Sequence, residues 1–201
     1  MKIEKKTIEN DEPFLRQISK EVDFSKEDWK EAIEVLADYC RNDDNILAIA
    51  SVQMGIPLRL VYVKKLELGN FYDDTNLEKV MINPKIIKRE GLIRFWEACA
   101  SCLDNTGLME RPYKIEIEYY DENQNIHHET YEGVPATVLS HEMDHLDGIL
   151  HIDVAEELLV MNHEERKKWR QIHGYTIYEK EGDYDLLKSQ KVKKLSKKDS
   201  I

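Results

Sequence analysis

The stretch Ser140-His141-Glu142-Met143-Asp144-His145-Leu146 contains the most informative pattern of the chain. His141 and His145 are four residues apart, so on a helix both imidazoles lie on one face and reach a single cation, with Glu142 beside it. A bound divalent ion lowers the pKa of its water towards about 7, and a carboxylate that is not a ligand takes the proton and delivers it to a leaving amine. The pattern predicts metal-assisted hydrolysis, although two surface histidines on a half-exposed helix produce the same spacing.

A hydrolytic metal site of this kind needs a third protein ligand. Upstream, Cys99 at the end of a predicted strand would complete a Cys-His-His set. Cys99 and Cys102 also have the C-x-x-C spacing of a redox pair or of half a four-cysteine zinc site, but the chain has no second C-x-x-C and no thioredoxin-type βαβ pattern. Downstream, a thermolysin-like protease would use one of His151, Asp153, Glu156 and His163.

The composition restricts the class of protein. The chain has 201 residues, which suits one domain with extensions, and its 29 Lys and Arg against 40 Asp and Glu give a formal net charge of -11. This charge repels phosphate, so we expect no sequence-specific nucleic-acid partner. No apolar run reaches the ~20 residues that span a bilayer, and Met1–Glu12 is too charged for a signal peptide, so we expect a cytoplasmic protein without membrane contact.

Hydrophobic periodicity predicts an α+β fold. A helical stripe from Trp29 to Cys40 places the Cys40 thiol in the core, and short apolar runs between residues 47 and 131 predict an antiparallel or mixed sheet. Helical spacing returns after Pro135 and again from about Val154 to Gln171. We expect a single domain over residues 1–185 and a Lys-rich, disordered C-terminal tail over 186–201. The strands are predicted at Leu58–Val63, Val80–Ile87, Leu92–Trp96, Tyr113–Tyr119 and Ile126–Tyr131.

Three stretches of the chain together resemble the peptide deformylase family. That family has variations of Gly-x-Gly-Leu-Ala-Ala-x-Gln, then Glu-Gly-Cys-Leu-Ser, then Gln-His-Glu-x-Asp-His-Leu, in this order. Order and approximate spacing agree here, and the resemblance extends from about Phe14 to Asp153. The corresponding stretches are Ile46-Leu47-Ala48-Ile49-Ala50-Ser51-Val52-Gln53, Glu97-Ala98-Cys99-Ala100-Ser101 and Ser140-His141-Glu142-Met143-Asp144-His145-Leu146.

The resemblance implies a fold, a metal and a reaction. The fold would be antiparallel or mixed β-sheets packed around a central metal-binding helix, with one divalent ion per chain: Fe²⁺ in the cell, and Zn²⁺ or Ni²⁺ in isolated protein. Glu142 would be the catalytic acid and base. Gln53 and the backbone N–H of Ala100 would stabilise the oxyanion that forms when water attacks the formyl carbon of an N-formylmethionyl peptide, with release of formate. The metal ligands would be Cys99, His141 and His145.

Side chains near the motifs are expected to support this chemistry. Asp144 would orient an imidazole or anchor the helix. Glu97 and Arg111 are predicted to form a partly buried ion pair that fixes the cysteine loop, although a charge at the end of a strand is the simpler interpretation of Arg111. Three of the residues expected to contact substrate, Phe95, Val134 and Val138, are equally typical of ordinary core. The full substrate-contacting set is Ala48, Phe95, Glu97, Val134 and Val138.

The chain departs from the family pattern inside the motifs. Ile46 and Ala48 replace the two glycines of the first motif, Ala98 and Ala100 replace the glycine and leucine of the second, and Ser140 stands where glutamine is usual. All groups needed for bond cleavage remain, so we expect an intact site with an altered substrate groove. The alternatives are a deformylase-fold hydrolase with a shifted N-acyl substrate and a catalytically silent metal-binding relative.

The expected partner is an N-formylmethionyl peptide or nascent chain. A deformylase meets that substrate at the RNA-rich exit of the ribosome. The Lys191–Lys198 cluster is a local exception to the negative net charge, so the C-terminal region is where we expect a ribosome contact.

Overall fold

The computed structural model describes residues 4–26, 28–43, 45–64 and 78–198. A 3-10 turn covers Ser51–Met54. None of the helices in these ranges is both long and apolar enough to cross a bilayer. The helices are α1 (Glu12–Leu15), α2 (Asp28–Asn42), α3 (Val134–Leu146), α4 (His151–Val154), α5 (His163–His173) and α6 (Tyr184–Lys198). The strands are β1 (Ala48–Ala50), β2 (Leu60–Val63), β3 (Lys79–Ala98), β4 (Asn105–Arg111), β5 (Lys114–Tyr120), β6 (Ile126–Glu132), β7 (Glu157–Val160) and β8 (Thr176–Asp183).

Strand β3 organises the sheet. Its first half pairs with β2 and β5 and its second half with β4 and β8, all antiparallel. The strands β1, β6 and β7 extend the sheet from β2, β5 and β4. Gly91, near the middle of β3, has a φ of +68°, and a Cβ there would lie 2.6 Å from the Glu179 carbonyl oxygen, so glycine is what lets β8 approach. The predicted strands Val80–Ile87 and Leu92–Trp96 are therefore one continuous strand.

Two helices cover the sheet on opposite faces. Leu60 and Tyr62 of β2 pack in the same core as the apolar stripe of α2, whereas Val61 and Val63 pack in the core that α3 completes. Cys40 on α2 is fully buried, as its place in the stripe predicts. The arrangement confirms the predicted α+β fold, with an antiparallel sheet against the helix that carries the His-Glu-x-x-His motif. The α3 side chains in this core are Ala136, Leu139, Met143 and Leu146.

Fixed ends set the position of α3. Pro135 lies in its first turn, where a missing N–H costs nothing. Just beyond its last residue, Gly148 has a φ of +73°, and a Cβ there would lie 2.5 Å from the Arg16 carbonyl oxygen. Because only glycine fits this contact, the chain leaves α3 at a defined point, packed against the residues that follow α1.

The region after α4 differs from the sequence prediction. The single helix expected from Val154 to Gln171 is instead β7 followed by α5. β7 is held by its backbone ladder to β4, while its side chains Leu158 and Val160 are 46% and 78% exposed, so their pattern gave no strand signal. The strands β4 and β8 were not predicted either, and β8 is exposed along its whole length.

A helix, α6, stands where the sequence predicted a disordered tail. Tyr184 is buried and its hydroxyl donates to the Glu110 carbonyl oxygen at 3.0 Å, while Lys191 forms an ion pair with the Glu110 carboxylate. These contacts attach α6 to β4. Within the Lys191–Lys198 cluster, the side chains after Lys191 lie outside the described residues, as do residues 199–201. The boundary at residue 185 stays a prediction.

Candidate metal centre and catalytic site

Three segments of the chain bring the motif residues together. α3 carries His141, Glu142 and His145 in its C-terminal half. β3 ends at Ala98, so Cys99 follows directly in the turn towards β4. β1 leads into the 3-10 turn that holds Gln53, and α3 packs on both. Residues that are distant in the sequence therefore meet at one site.

The predicted metal ligands lie close together and are buried. The Cys99 Sγ is 3.1 Å from the His145 Nε2, and the His145 Nε2 is 3.1 Å from the His141 Nε2. All three donor atoms lie within 4.8 Å of one another. One thiolate and two imidazoles are a donor set that suits Zn²⁺, Fe²⁺ or Ni²⁺. The residues present thus fit a tetrahedral ion with a fourth position left for water or substrate.

A buried ion pair orients the first histidine. The Nδ1–H of His141 donates to the Glu97 carboxylate at 2.7 Å, which leaves the lone pair on Nε2 for a metal. The Arg111 guanidinium donates to both oxygens of Glu97, at 3.0 and 2.8 Å, and also to Asp144. The side chains of Glu97 and Arg111 are 6% and 7% exposed. The predicted ion pair is present and is fully buried rather than partly buried.

The charges of this network shift several pKa values. Burial opposes ionisation of Glu97, but Arg111 and His141 outweigh it and hold the pKa of Glu97 well below its usual range. Burial likewise opposes protonation of His141, and the negative charges of Glu97 and Cys99 raise its pKa. A hydrogen bond from the Cys102 thiol and the nearby imidazoles lower the pKa of Cys99 despite its burial. The centre therefore favours a thiolate, which is the form that binds metal.

Gln53 and Ala100 lie beside the ligands. The Gln53 Oε1 accepts the Ala50 N–H at 3.1 Å, which fixes the orientation of the amide. Its Nε2 donates to the Ser101 Oγ at 3.0 Å and is 3.6 Å from the Cys99 Sγ. Gln53 and Ala100 both line the cavity at the ligands. Their catalytic roles stay predictions.

Glu142 is a buried carboxylate with an unused oxygen. It is 4% exposed, and its Oε2 has no hydrogen-bond partner among the described residues. Burial raises its pKa. A carboxylate that is not one of the predicted ligands and has no ion pair with any described residue is available to exchange a proton with a reactant in the cavity.

A cavity of about 380 Å³ opens onto these groups. All five residues predicted to contact substrate line this cavity, whereas Asp144 and Arg111 do not line it. Ile46, which replaces a family glycine, lines it as well. The lining residues with predicted roles are Ala48, Gln53, Phe95, Glu97, Cys99, Ala100, Val134, Val138, His141 and Glu142.

Comparison with protein families gives one decisive match. The model of the polypeptide deformylase family matches residues 5–160. The chain belongs to this family. A peptide deformylase of Leptospira biflexa is 35% identical over 158 residues, which cover 74% of this chain and 86% of the relative. The family predicted from three short stretches is confirmed.

Solved structures agree with this membership. A peptide deformylase of Synechococcus elongatus, solved in complex with actinonin, has a TM-score of 0.67 and 28% identity, covering 86% of this chain and 88% of that one. A probable peptide deformylase of synechococcus phage S-SSM7 has a TM-score of 0.65 and 29% identity, covering 75% of this chain and 98% of that one. The family depends on metal, and the buried Cys-His-His set is a potential set of ligands for it.

The four downstream side chains do not complete the metal set of this deformylase-family chain. Asp153 pairs with Arg16, at 2.7 Å, and Glu156 pairs with Arg94. His151 lies near Cys99, but its ring nitrogens do not form a set with both motif histidines in which all donor atoms are within 4.8 Å of one another. His163 lines the cavity at the start of α5. The thermolysin-like alternative therefore has no third ligand among them, whereas Cys99 is in place.

The C-terminal region adds cavity residues that the sequence did not indicate. Tyr175, between α5 and β8, stacks on Phe95 with ring centroids 5.0 Å apart and planes 25° apart. Arg170 of α5 also lines the cavity, and its Nε donates to the Trp96 carbonyl oxygen at 2.9 Å. The Arg166 guanidinium donates to the Thr106 hydroxyl of β4 at 3.0 Å and to the Leu103 carbonyl oxygen, in the turn after Cys99, at 3.3 Å. The sequence spacing does not relate these residues to the motifs. They reach the site because β7 pairs with β4 and β8 pairs with β3, and these contacts join segments that are distant in the sequence.

The substitution at Ser140 points away from the chemistry. Its hydroxyl donates to the Ala136 carbonyl oxygen at 2.7 Å, one turn earlier on α3. The side chain is buried and does not line the cavity. The departures that face the cavity are instead Ile46, Ala48, Ala98 and Ala100.

Proposed function

We propose that the chain removes the formyl group from N-formylmethionyl peptides of newly made proteins, using one divalent ion held by Cys99, His141 and His145. The observation that carries this proposal is the meeting of a thiol and two imidazoles within 4.8 Å. Glu142, whose Oε2 has no hydrogen-bond partner in the described part of the chain, stands beside them at the cavity that the family motifs line.

The ion supplies Lewis-acid chemistry when bound, because it lowers the pKa of water and polarises a carbonyl. Glu142 accepts a proton from the water that attacks the formyl carbon. It then returns this proton to the amine nitrogen as the C–N bond breaks, so the products are formate and a peptide with a free N-terminus. Burial keeps the pKa of Glu142 raised, which brings its proton exchange closer to neutral pH.

Two donors stabilise the oxyanion formed by this attack. The amide of Gln53 donates without titrating, and its contact with the Ala50 N–H, at 3.1 Å, fixes its direction before substrate arrives. The second donor is the N–H of Ala100, which any residue at that position would keep. Donors held in place in this way are worth about 10²–10³ each in rate.

The apolar part of the cavity suits a methionine side chain. Phe95, Val134 and Val138 line it, and Tyr175 closes it by stacking on Phe95. Ala48 and Glu97 also line the cavity, and we expect them to contact the peptide backbone. The actinonin complex of the Synechococcus elongatus relative supports a ligand-binding groove in this fold.

The metal, the cellular location and a ribosome contact belong to the same proposal. We propose Fe²⁺ as the ion in the cell, with Zn²⁺ or Ni²⁺ in isolated protein, because a thiolate with two imidazoles binds all three. Nascent chains as substrates place the protein in the cytoplasm beside ribosomes. The helix α6 carries the Lys-rich segment and would provide the contact, which removal of α6 and ribosome binding at several salt concentrations would test.

A formyl-peptide assay tests the function. Anaerobically iron-loaded protein should hydrolyse formyl-Met-Ala-Ser, and Glu142→Gln should lower kcat by about 10²–10⁴ while keeping the metal. Cys99→Ala should lose the metal, and Glu156→Gln should keep it. A thermolysin-like site predicts the reverse for the last two variants. No turnover of formylated peptide with full metal occupancy would reject the proposal, and turnover of acetyl-Met-Ala-Ser instead would favour the shifted N-acyl substrate.

A further inference from the structure

A second group of metal-ligating side chains adjoins the first. A ring nitrogen of His151 and the sulfurs of Cys99 and Cys102 lie within 4.8 Å of one another. The three residues are 1%, 4% and 0% exposed. Cys99 belongs to both groups, whereas Cys102 and His151 have no part in the proposed deformylation.

A tight turn aligns the two cysteines. The Cys102 N–H donates to the Cys99 carbonyl oxygen at 3.0 Å, and the Asn105 N–H donates to the Cys102 carbonyl oxygen at 3.2 Å. Neither cysteine forms a disulfide. The C-x-x-C spacing thus serves neither a disulfide nor a four-cysteine site in this structure, but it places two buried sulfurs close together.

One ring nitrogen of His151 has no hydrogen-bond partner among the described residues. Its Nε2–H donates to the Asn105 carbonyl oxygen at 3.2 Å, since a carbonyl can only accept. The lone pair is therefore on Nδ1, which has no hydrogen-bond partner among the described residues. Metal-binding histidines commonly donate their other N–H to a carbonyl or carboxylate, as His141 does to Glu97. A buried lone pair without a donor is unfavourable, and a bound cation would remove this cost.

We propose that Cys99, Cys102 and His151 bind a second thiophilic divalent ion of the zinc class, with the Cys99 sulfur bridging it to the ion at His141 and His145. Two thiolates and an imidazole are ligands that Zn²⁺ prefers. With Zn–S about 2.3 Å and Zn–N about 2.0 Å, tetrahedral donors are about 3.4–3.8 Å apart, so donors already within 4.8 Å close around an ion through small side-chain movements.

Counting bound ions tests the proposal, and the count does not depend on turnover. Reduced, metal-free protein is loaded anaerobically with Zn²⁺, washed with a weak competing chelator, and weighed by native mass spectrometry. We expect two ions in the unaltered chain and one in Cys102→Ser and in His151→Gln. Cys40→Ser, at a buried free cysteine on α2, and His128→Gln, at an exposed histidine on β6, are matched controls that should keep two.

Cobalt gives a second readout from the same ligands. With two Co²⁺ ions the unaltered chain would have three Co–S bonds, two to the Cys99 sulfur and one to the Cys102 sulfur. Cys102→Ser should lose the second ion and keep one Co–S bond, so more than half of the sulfur-to-cobalt charge-transfer absorption should disappear. A single ion per unaltered chain at saturating Zn²⁺ would overturn the proposal, and so would a second ion that persists in both variants. Loss of two mass units through a Cys99–Cys102 disulfide, in place of a second ion, would overturn it too. If the variants fail to fold, the count in the unaltered chain still decides.

Discussion

The Nδ1 of His141 lies 2.7 Å from the Glu97 carboxylate, and this contact joins the metal-binding helix to the end of β3. Arg111 on β4 holds both oxygens of the same carboxylate and also reaches Asp144 on α3. Two strands and one helix are thereby fixed through one buried set of charges. The geometry of the metal ligands therefore depends on residues that are not ligands themselves.

Removing the charge of Glu97 from this buried network should lower the affinity for metal. Glu97→Gln keeps the size and an acceptor for the His141 N–H but removes the charge, so we expect about 10–100-fold weaker Zn²⁺ binding. Competition with a chromophoric chelator measures it. The matched control is Glu156→Gln, which removes a carboxylate paired with Arg94 and should leave the affinity unchanged.

Arg111→Ala should be more severe than Glu97→Gln. It leaves the Glu97 charge buried without its guanidinium, which costs about 3–5 kcal/mol of unfolding free energy and loses metal as well. Urea unfolding of the metal-free protein separates the two effects. Wild-type stability and wild-type Zn²⁺ affinity in this variant would contradict the role given to the ion pair.

Much of this centre was predictable because its residues lie in short motifs. The i, i+4 spacing places His141 and His145 on one face whatever surrounds them, and the apolar stripe of α2 is buried as its period requires. Glu97 and Arg111 were paired from charge and position alone, but the depth of their burial depends on β4, which the sequence did not reveal.

The C-terminal side of the site was not predictable in this way. Tyr175 and Arg170 reach the cavity only because β7 pairs with β4 and β8 pairs with β3. β7 is short and β8 is exposed, so backbone hydrogen bonds hold both strands in the sheet. Their side chains therefore lack the alternation of apolar and polar residues that predicts a strand. Likewise, β3 continues through Gly91, where β8 pairs with it closely. The sequence around Gly91 does not indicate this contact with a distant strand.

Gln53 should contribute to kcat and little to substrate binding. Its amide is held by the Ala50 N–H and lies 3.6 Å from the Cys99 sulfur, which suits donation to an oxyanion that exists only in the transition state. Gln53→Ala should lower kcat by about 10²–10³ with a similar KM and full metal content. Steady-state kinetics on formyl-Met-Ala-Ser measure this, with the exposed Gln17→Ala as control. A raised KM with unchanged kcat would place Gln53 in binding instead.

Tyr175 should shape the pocket for the methionine side chain. Its stack on Phe95 is the kind of aromatic contact that is worth about 0.5–1.5 kcal/mol, so Tyr175→Ala should raise KM for formyl-Met-Ala-Ser by about 2–10-fold. Tyr175→Phe keeps the ring and should behave like the unaltered chain. Tyr178→Ala, on β8 and away from the cavity lining, is the matched control. Equal KM values for all three variants would remove Tyr175 from the substrate pocket.

Away from the site, Glu129 on β6 should make stability depend on pH. Its carboxylate accepts from Lys79 at 2.6 Å and from the Tyr119 hydroxyl at 2.9 Å. Burial opposes its ionisation, but these partners prevail and lower the pKa of Glu129 below the usual value of 4.5. Because the folded pKa is the lower one, the stabilisation is complete above pH 4.5 and is lost as the pH falls through the folded pKa.

Urea unfolding of metal-free protein at pH 7, 5, 4 and 3 checks the Glu129 prediction. Since both side chains of the ion pair are about a third exposed, Glu129→Gln should cost only about 1 kcal/mol at pH 5 and above. The difference from the unaltered chain should then shrink at pH 4 and further at pH 3, because protonation removes the same charge from the unaltered protein. Glu116→Gln on the neighbouring β5 changes the net charge equally, and its carboxylate has no ion pair among the described residues, so its effect should be small and independent of pH. A Glu129→Gln difference that is the same at pH 3 as at pH 7 would show that the hydrogen bonds, and not the charge, hold β6 to the sheet.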